Sequence, residues 1–114
     1  MSKDYKAEFK DVSSEYMTLQ NAATDTLGAF GQLHKAAMGD GALPGKYKEL
    51  IAMAIGVGLR CEGCVVSHTR AAVKKGATQQ EIAEAVGVAV MMAGGPGTVY
   101  GAKAIEAAKQ FAEA

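Results

Sequence analysis

Tryptophan is absent from this chain of 114 residues, proline occurs twice, and only seven residues are aromatic. Without large rings, a core has to come from small side chains on elements that approach closely. Charge of one sign is not in excess either: 12 Lys and Arg face 12 Asp and Glu. That balance excludes an electrostatic grip on nucleic acid or on an anionic membrane. Two cysteines, Cys61 and Cys64, are too few for a disulfide framework. The longest uncharged run, Ala85 to Ala102, has 18 residues and is broken by Gly94-Gly95-Pro96-Gly97. It falls short of the ~20 apolar residues that a membrane-spanning helix needs. The start, Met1-Ser2-Lys3-Asp4-Tyr5-Lys6, holds no apolar stretch of the signal-peptide kind. These absences predict a soluble, cytoplasmic protein, where a lone thiol pair is catalytic or metal-binding more often than structural.

What is present is small and apolar. The hydrophobic fraction of 49% is too high for a disordered chain. Alanine (22) and glycine (14) together make up nearly a third of the residues. The length suits one domain over 1–114, burying roughly 65% of its unfolded surface. A core so short of bulky side chains would gain from association, so a homo-oligomer is expected.

Helical periods dominate. Tyr5, Phe9, Val12, Tyr16 and Leu19 recur at three- and four-residue steps, which predicts an amphipathic first helix. Breaks are expected around Ser13-Ser14 and Thr24-Asp25-Thr26, with a second helix from about Leu27 to Met38 and a loop over Gly39–Gly45. A third helix should run from about Lys46 to Leu59. Its second half is uncharged on every side, which predicts full burial. A fourth helix opens at Cys61-Glu62-Gly63-Cys64 and stops at Gly76, a favourable residue just past a helix end. Lys74 and Lys75 in its last turn suit the helix dipole. Thr78-Gln79-Gln80-Glu81 reads as a capping box. It begins a fifth helix with Ile82, Ala83, Val86, Val90 and Met91 on its apolar side, ending at the Gly-Gly-Pro-Gly break. A sixth helix runs from about Thr98 to Ala112. The expected fold is all-α, a compact bundle of about six helices, with N-terminal helices over 1–42 and a motif-bearing core over 43–114.

Chemistry concentrates in Cys61-Glu62-Gly63-Cys64-Val65-Val66-Ser67-His68. The first turn of a helix presents unpaired N–H groups and positive dipole charge, both of which stabilise a thiolate. Cys-x-x-Cys spacing lets two sulfurs meet across one turn. His68 follows Cys64 by four residues and Cys61 by seven, on the same helix face as both, so one imidazole can serve either thiol. Glu49 stands on the preceding helix, where a carboxylate is costly unless paired; His68 is a candidate partner. Other readings fit these residues too. The cysteines could be small buried hydrophobes, or could hold zinc with His68 and Glu49 or water, although closed zinc sites usually draw on four Cys or His ligands. Glu49 could simply be solvated beside Lys48. His34 has no partner motif and reads as a surface or packing residue. Phe30, Tyr47 and Tyr100 fit a pocket or the core, and Met38, Met53, Met91 and Met92 fit adaptable packing. The Gly94–Gly97 turn lacks the strand and the Lys-Ser/Thr of a phosphate loop.

Glu49, eleven residues, Cys61-x-x-Cys64 and three residues to His68, followed by Ala72 and Gly76, resembles the signature of the AhpD-like alkylhydroperoxidases of the carboxymuconolactone decarboxylase superfamily. The likeness covers about Leu43 to Ala108 in detail and the N-terminal helices in character. It implies an all-helical homotrimer or homohexamer and thiol peroxidase chemistry with no metal, haem or other cofactor. It further implies that Cys64 attacks a small hydroperoxide as a thiolate and becomes a sulfenic acid. Cys61 would protonate the leaving group and then resolve the sulfenic acid into a disulfide. His68 and Glu49 would form a proton relay that deprotonates Cys64 through water, and a lipoyl- or thioredoxin-like dithiol would restore the thiols. One departure stands out: well-known AhpD enzymes carry a second His just before the later cysteine, and here Gly63 takes that place. The superfamily's lactone decarboxylases generally lack the cysteine pair. A decarboxylase or other lactone-processing enzyme, and a non-enzymatic redox-sensing helical oligomer, are the alternatives.

Overall fold

The structure, a computed structural model, describes residues 3–113; Met1 and Ser2 of the opening segment lie outside them. Among the described residues every regular element is a helix: α1 Tyr5–Ala22, α2 Thr24–Met38, α3 Gly45–Gly58, α4 Glu62–Lys74, α5 Gln79–Ala93 and α6 Gly95–Ala112. The all-α expectation holds. None of these helices is long and apolar enough to cross a membrane.

The chain's own chemistry sets the helix ends. Asp4 caps α1 by accepting from the Ala7 N–H at 3.0 Å. The expected break at Ser13-Ser14 does not occur. Two serines weaken a helix only modestly, and α1 passes through them, with the Thr18 hydroxyl donating to the Ser14 carbonyl. The break falls on Ala23 alone, so α2 starts three residues before Leu27. At the end of α3, Arg60 adopts a left-handed conformation (φ 57°). Its N–H bonds to the Val57 carbonyl and the Cys61 N–H to the Gly56 carbonyl, the paired bonds of a Schellman turn. Cys61 therefore closes α3 and opens α4 at once. The same turn ends α4, with Gly76 at φ 92° in the left-handed position. Thr78 and Glu81 form the expected capping box of α5. Only Gly94 separates α5 from α6, which begins at Gly95, because Pro96 is preorganised for a first helical turn and does not interrupt it.

Helices α3, α4, α5 and α6 enclose the main core. Leu50, Met53 and Val57 meet Val65 and Ala72 of α4, Ile82, Val86 and Ala89 of α5, and Ala104 and Ala108 of α6. Glycines set how closely the helices approach. A Cβ on Gly101 would lie 2.6 Å from a Val86 methyl, and one on Gly97 would lie 3.0 Å from the Val90 Cα. Helix α1 docks through Tyr5, which is buried with Val66 and Ala107 and flanked by Phe9 and Phe111. Gln110 fastens that end, accepting from the Tyr5 N–H and donating to the Lys3 carbonyl. Helix α2 has no buried residue.

Two burial expectations need correction. The second half of α3 is apolar all round but buried on one side only; Ile51, Ile55 and Leu59 face outward. The neighbouring helices pack against the Leu50–Met53–Val57 stripe, and among the described residues nothing covers Ile51, Ile55 and Leu59 on the opposite face. Met91 and Met92, expected to pack, are 72% and 75% exposed, whereas Met53 is wholly buried.

Candidate active site

The α3–α4 joint places the thiol chemistry. Cys61 is the N-cap of α4, its sulfur accepting from the Cys64 N–H at 3.3 Å. The two sulfurs are joined in a disulfide, with Cα atoms 5.2 Å apart. Gly56 lies directly beneath: a Cβ there would come within 3.1 Å of the Cys64 Cβ and 3.3 Å of the Val65 nitrogen. The absence of a side chain at Gly56 therefore lets α3 pass under the cysteine turn without displacing it.

Glu49 and His68 are brought together. The Glu49 carboxylate is 4% exposed, and its Oε1 lies 2.7 Å from His68 Nδ1. A carboxylate accepts, so the shared proton belongs on Nδ1, and Nε2 becomes the basic nitrogen. The second oxygen, Oε2, lies 3.4 Å from the Lys75 ammonium. Glu49 is thus paired on both oxygens and is not a solvated neighbour of Lys48. Lys75 was read only as a helix-dipole residue. It stands seven residues after His68, on the same face of α4, and that spacing was the available signal.

A cavity of about 580 Å³ opens over the disulfide. Its floor is α4, with Cys61, Gly63, Cys64, Ser67 and His68; Val12 and Tyr16 of α1 form one wall, and Phe30, Gly31 and His34 of α2 another. His34, read from sequence as a surface or packing residue, therefore faces the same space as both cysteines. The chain has two histidines, and both line this one cavity. Phe30 also lines it, whereas Tyr47 is exposed and Tyr100 packs against the main core.

Glu62, between the two cysteines, belongs to an ionic cluster. Its carboxylate pairs with Lys3 and, at 3.1 Å, with Lys103. Hydrogen bonding with Glu8, followed by the bonds donated by the Lys3 and Lys103 ammonium groups, holds its pKa down at about 2. Burial pushes Glu8 the other way, above the ordinary carboxylate range. The cluster ties the start of α1 and the face of α6 to the first turn of α4.

An all-helical scaffold with a Cys-x-x-Cys pair at a helix start and a buried Glu–His pair behind it defines a distinct class. The family model for the carboxymuconolactone decarboxylase family matches residues 24–107, and the chain belongs to that family. It is 38% identical to a carboxymuconolactone decarboxylase family protein from Legionella pneumophila, whose crystal structure superposes with a TM-score of 0.93 over 98% of this chain and 100% of that one. A family member from Thermotoga maritima, for which a part in the antioxidative response has been suggested, is 26% identical, with a TM-score of 0.83 over 93% of this chain and 91% of that one. Among curated sequences, an uncharacterized protein of Cupriavidus necator is 37% identical over 92% of this chain and 93% of its own length.

Proposed function

We propose that this protein is a cysteine-based peroxidase that reduces organic hydroperoxides to alcohols. Cys64 attacks as a thiolate, after His68, held by Glu49, takes its proton through water. The sulfur bonds to the terminal peroxide oxygen, the O–O bond breaks, and the alkoxide leaves as the alcohol on taking a proton within the cavity. Cys64 is then a sulfenic acid. The Cys61 sulfur displaces its hydroxyl as water, using the Cys61 proton, and the disulfide forms. Two thiols lose two electrons and two protons, and one hydroperoxide becomes one alcohol and one water. An external dithiol, of the lipoyl or thioredoxin kind, exchanges with the disulfide to close the cycle. No metal or cofactor takes part.

One observation carries this reading: the disulfide and an imidazole backed by a buried carboxylate open onto one cavity. The Thermotoga relative supports the antioxidative direction. The exposed apolar faces, Ile51, Ile55 and Leu59 on α3 with Met91 and Met92 on α5, support assembly into a homotrimer or homohexamer. The test is consumption of cumene hydroperoxide by the reduced protein. One equivalent should remove two hydrogen atoms from the protein mass, and Cys64→Ser should abolish turnover. A lactone-processing decarboxylase would keep its turnover in Cys64→Ser. A redox sensor would form the disulfide cleanly yet fail to turn over with any dithiol.

A further inference from the structure

Helix α2 makes little of the core, yet it delivers an imidazole to the thiol cavity. His34 stands four residues after Phe30 and three after Gly31, so all three share one helical face, the face that lines the cavity opposite α4. Neither ring nitrogen of His34 bonds to another group among the described residues. The His68 ring, by contrast, is committed through Nδ1 to Glu49. The two histidines therefore differ in kind: one is fixed and backed by a carboxylate, which suits a base, and the other is unengaged and in contact with solvent, which suits a group that gives up a proton and regains it.

We infer that His34 is a catalytic residue on the substrate's side of the cavity, donating a hydrogen bond and then a proton to the leaving oxygen of the hydroperoxide. The inference rests on the peroxidase reading and adds to it the identity of the acid. As the Cys64 sulfur bonds to the terminal oxygen and the O–O bond breaks, the developing alkoxide takes the His34 proton and departs as the alcohol. The Cys61 proton is thereby kept for the water released when the disulfide forms. His34 recovers its proton from solvent, and Phe30, on the same face, packs against the organic group. The resemblance drawn from the sequence gave the leaving-group proton to Cys61; here Cys61 acts only in the second step.

The test uses the reduced full-length protein, mixed with cumene hydroperoxide in a single turnover and followed by mass spectrometry. His34→Gln and His34→Ala should each slow oxidation of Cys64 on the order of 10²-fold, the usual contribution of a positioned acid. Alkylation of Cys64 by iodoacetamide, which needs the thiolate but no leaving-group acid, should stay within about twofold. Added imidazole should restore much of the rate to His34→Ala and none to Cys64→Ser. Cys61→Ala should still form the sulfenic acid within a few-fold of the wild-type rate. Because α2 has no buried residue, the variants should keep the wild-type circular dichroism. Oxidation of His34→Gln at the wild-type rate would overturn the inference, as would loss of the first step in Cys61→Ala instead. A wild-type protein inert to the hydroperoxide would overturn the peroxidase reading itself, an outcome distinct from either.

Discussion

The four-helix body, α3 to α6, and the α1–α2 arm are built differently from the same small residues. In the body, glycines and alanines bring helices into contact, and Met53, Val57, Val65 and Ile82 are wholly buried. In the arm, α1 is anchored at its start by Tyr5 and Gln110, while α2 leaves Phe30 and Leu33 half or more exposed. The body fixes the cysteine turn and the Glu49–His68 pair; the arm walls the cavity and carries His34 into it. On the peroxidase proposal, the well-buried body holds the thiols and the Glu49–His68 pair, and the more exposed wall that carries His34 lies on the side where the organic group would enter.

Truncations should separate the two regions most sharply. Met53→Ala should cost about 2–5 kcal/mol in urea unfolding, through lost burial and a residual cavity. Leu33→Ala on α2 should cost less than about 0.5 kcal/mol at low protein concentration. Any larger cost should grow with concentration, since a second copy would have to supply the contact. Equal losses at low concentration would erase the distinction.

Within the body, Gly56→Ala should cost about 1–3 kcal/mol, because its Cβ would lie 3.1 Å from the Cys64 Cβ and 3.3 Å from the Val65 nitrogen, so the cysteine turn would have to give way. It should also slow disulfide formation by displacing the cysteine turn. Thr69→Val should go the other way. Among the described residues the buried Thr69 hydroxyl has no hydrogen-bond partner, so its removal should stabilise the chain by about 1 kcal/mol in the same unfolding experiments. Arg60→Gly should gain a similar amount, roughly 1 kcal/mol, by relieving a left-handed residue that carries a Cβ.

The smallest effect concerns the strap between the regions. Glu62, lowered from 4.5 to about 2, is more acidic folded than unfolded. Its contribution is present in full above pH 4.5 and is lost as pH falls from there through about 2. Glu8, shifted upward, works in the opposite direction, favouring the fold as it takes up its proton. Acid titration of Glu62→Gln should therefore show a weaker loss of stability below pH 4.5 than the wild type. Matching slopes would mean that the cluster does not bind arm to body.

The body was more legible in the sequence than the arm, for physical reasons. Capping chemistry is local, so Thr78–Glu81 and Gly76 announced their turns directly. The Cys-x-x-Cys–x3–His spacing put three reactive groups on one helical face, and the pairing of Glu49 with His68 followed from the cost of burying a carboxylate alone. Periodicity, however, reports which side of a helix is apolar and not what covers it. Ile51 and Ile55 were therefore expected inside and lie outside. The place of His34 on the cavity has no local signal, because the α4 residues it shares that cavity with lie about thirty residues away and no local pattern joins them. Gly56 is likewise meaningful only once α3 is laid under Cys64.

The central claim, that Cys64 is the sulfur a hydroperoxide oxidises first, is tested most directly by trapping that oxidation. Reduced Cys61→Ser, which cannot resolve, should be treated with one equivalent of cumene hydroperoxide in the presence of dimedone and mapped by peptide mass spectrometry. The account predicts a single dimedone adduct on Cys64, together with stoichiometric release of the alcohol. An unmodified Cys64 thiol beside unconsumed hydroperoxide would contradict it, and so would a Cys61 adduct that forms in the reciprocal Cys64→Ser protein as fast as the Cys64 adduct forms in Cys61→Ser.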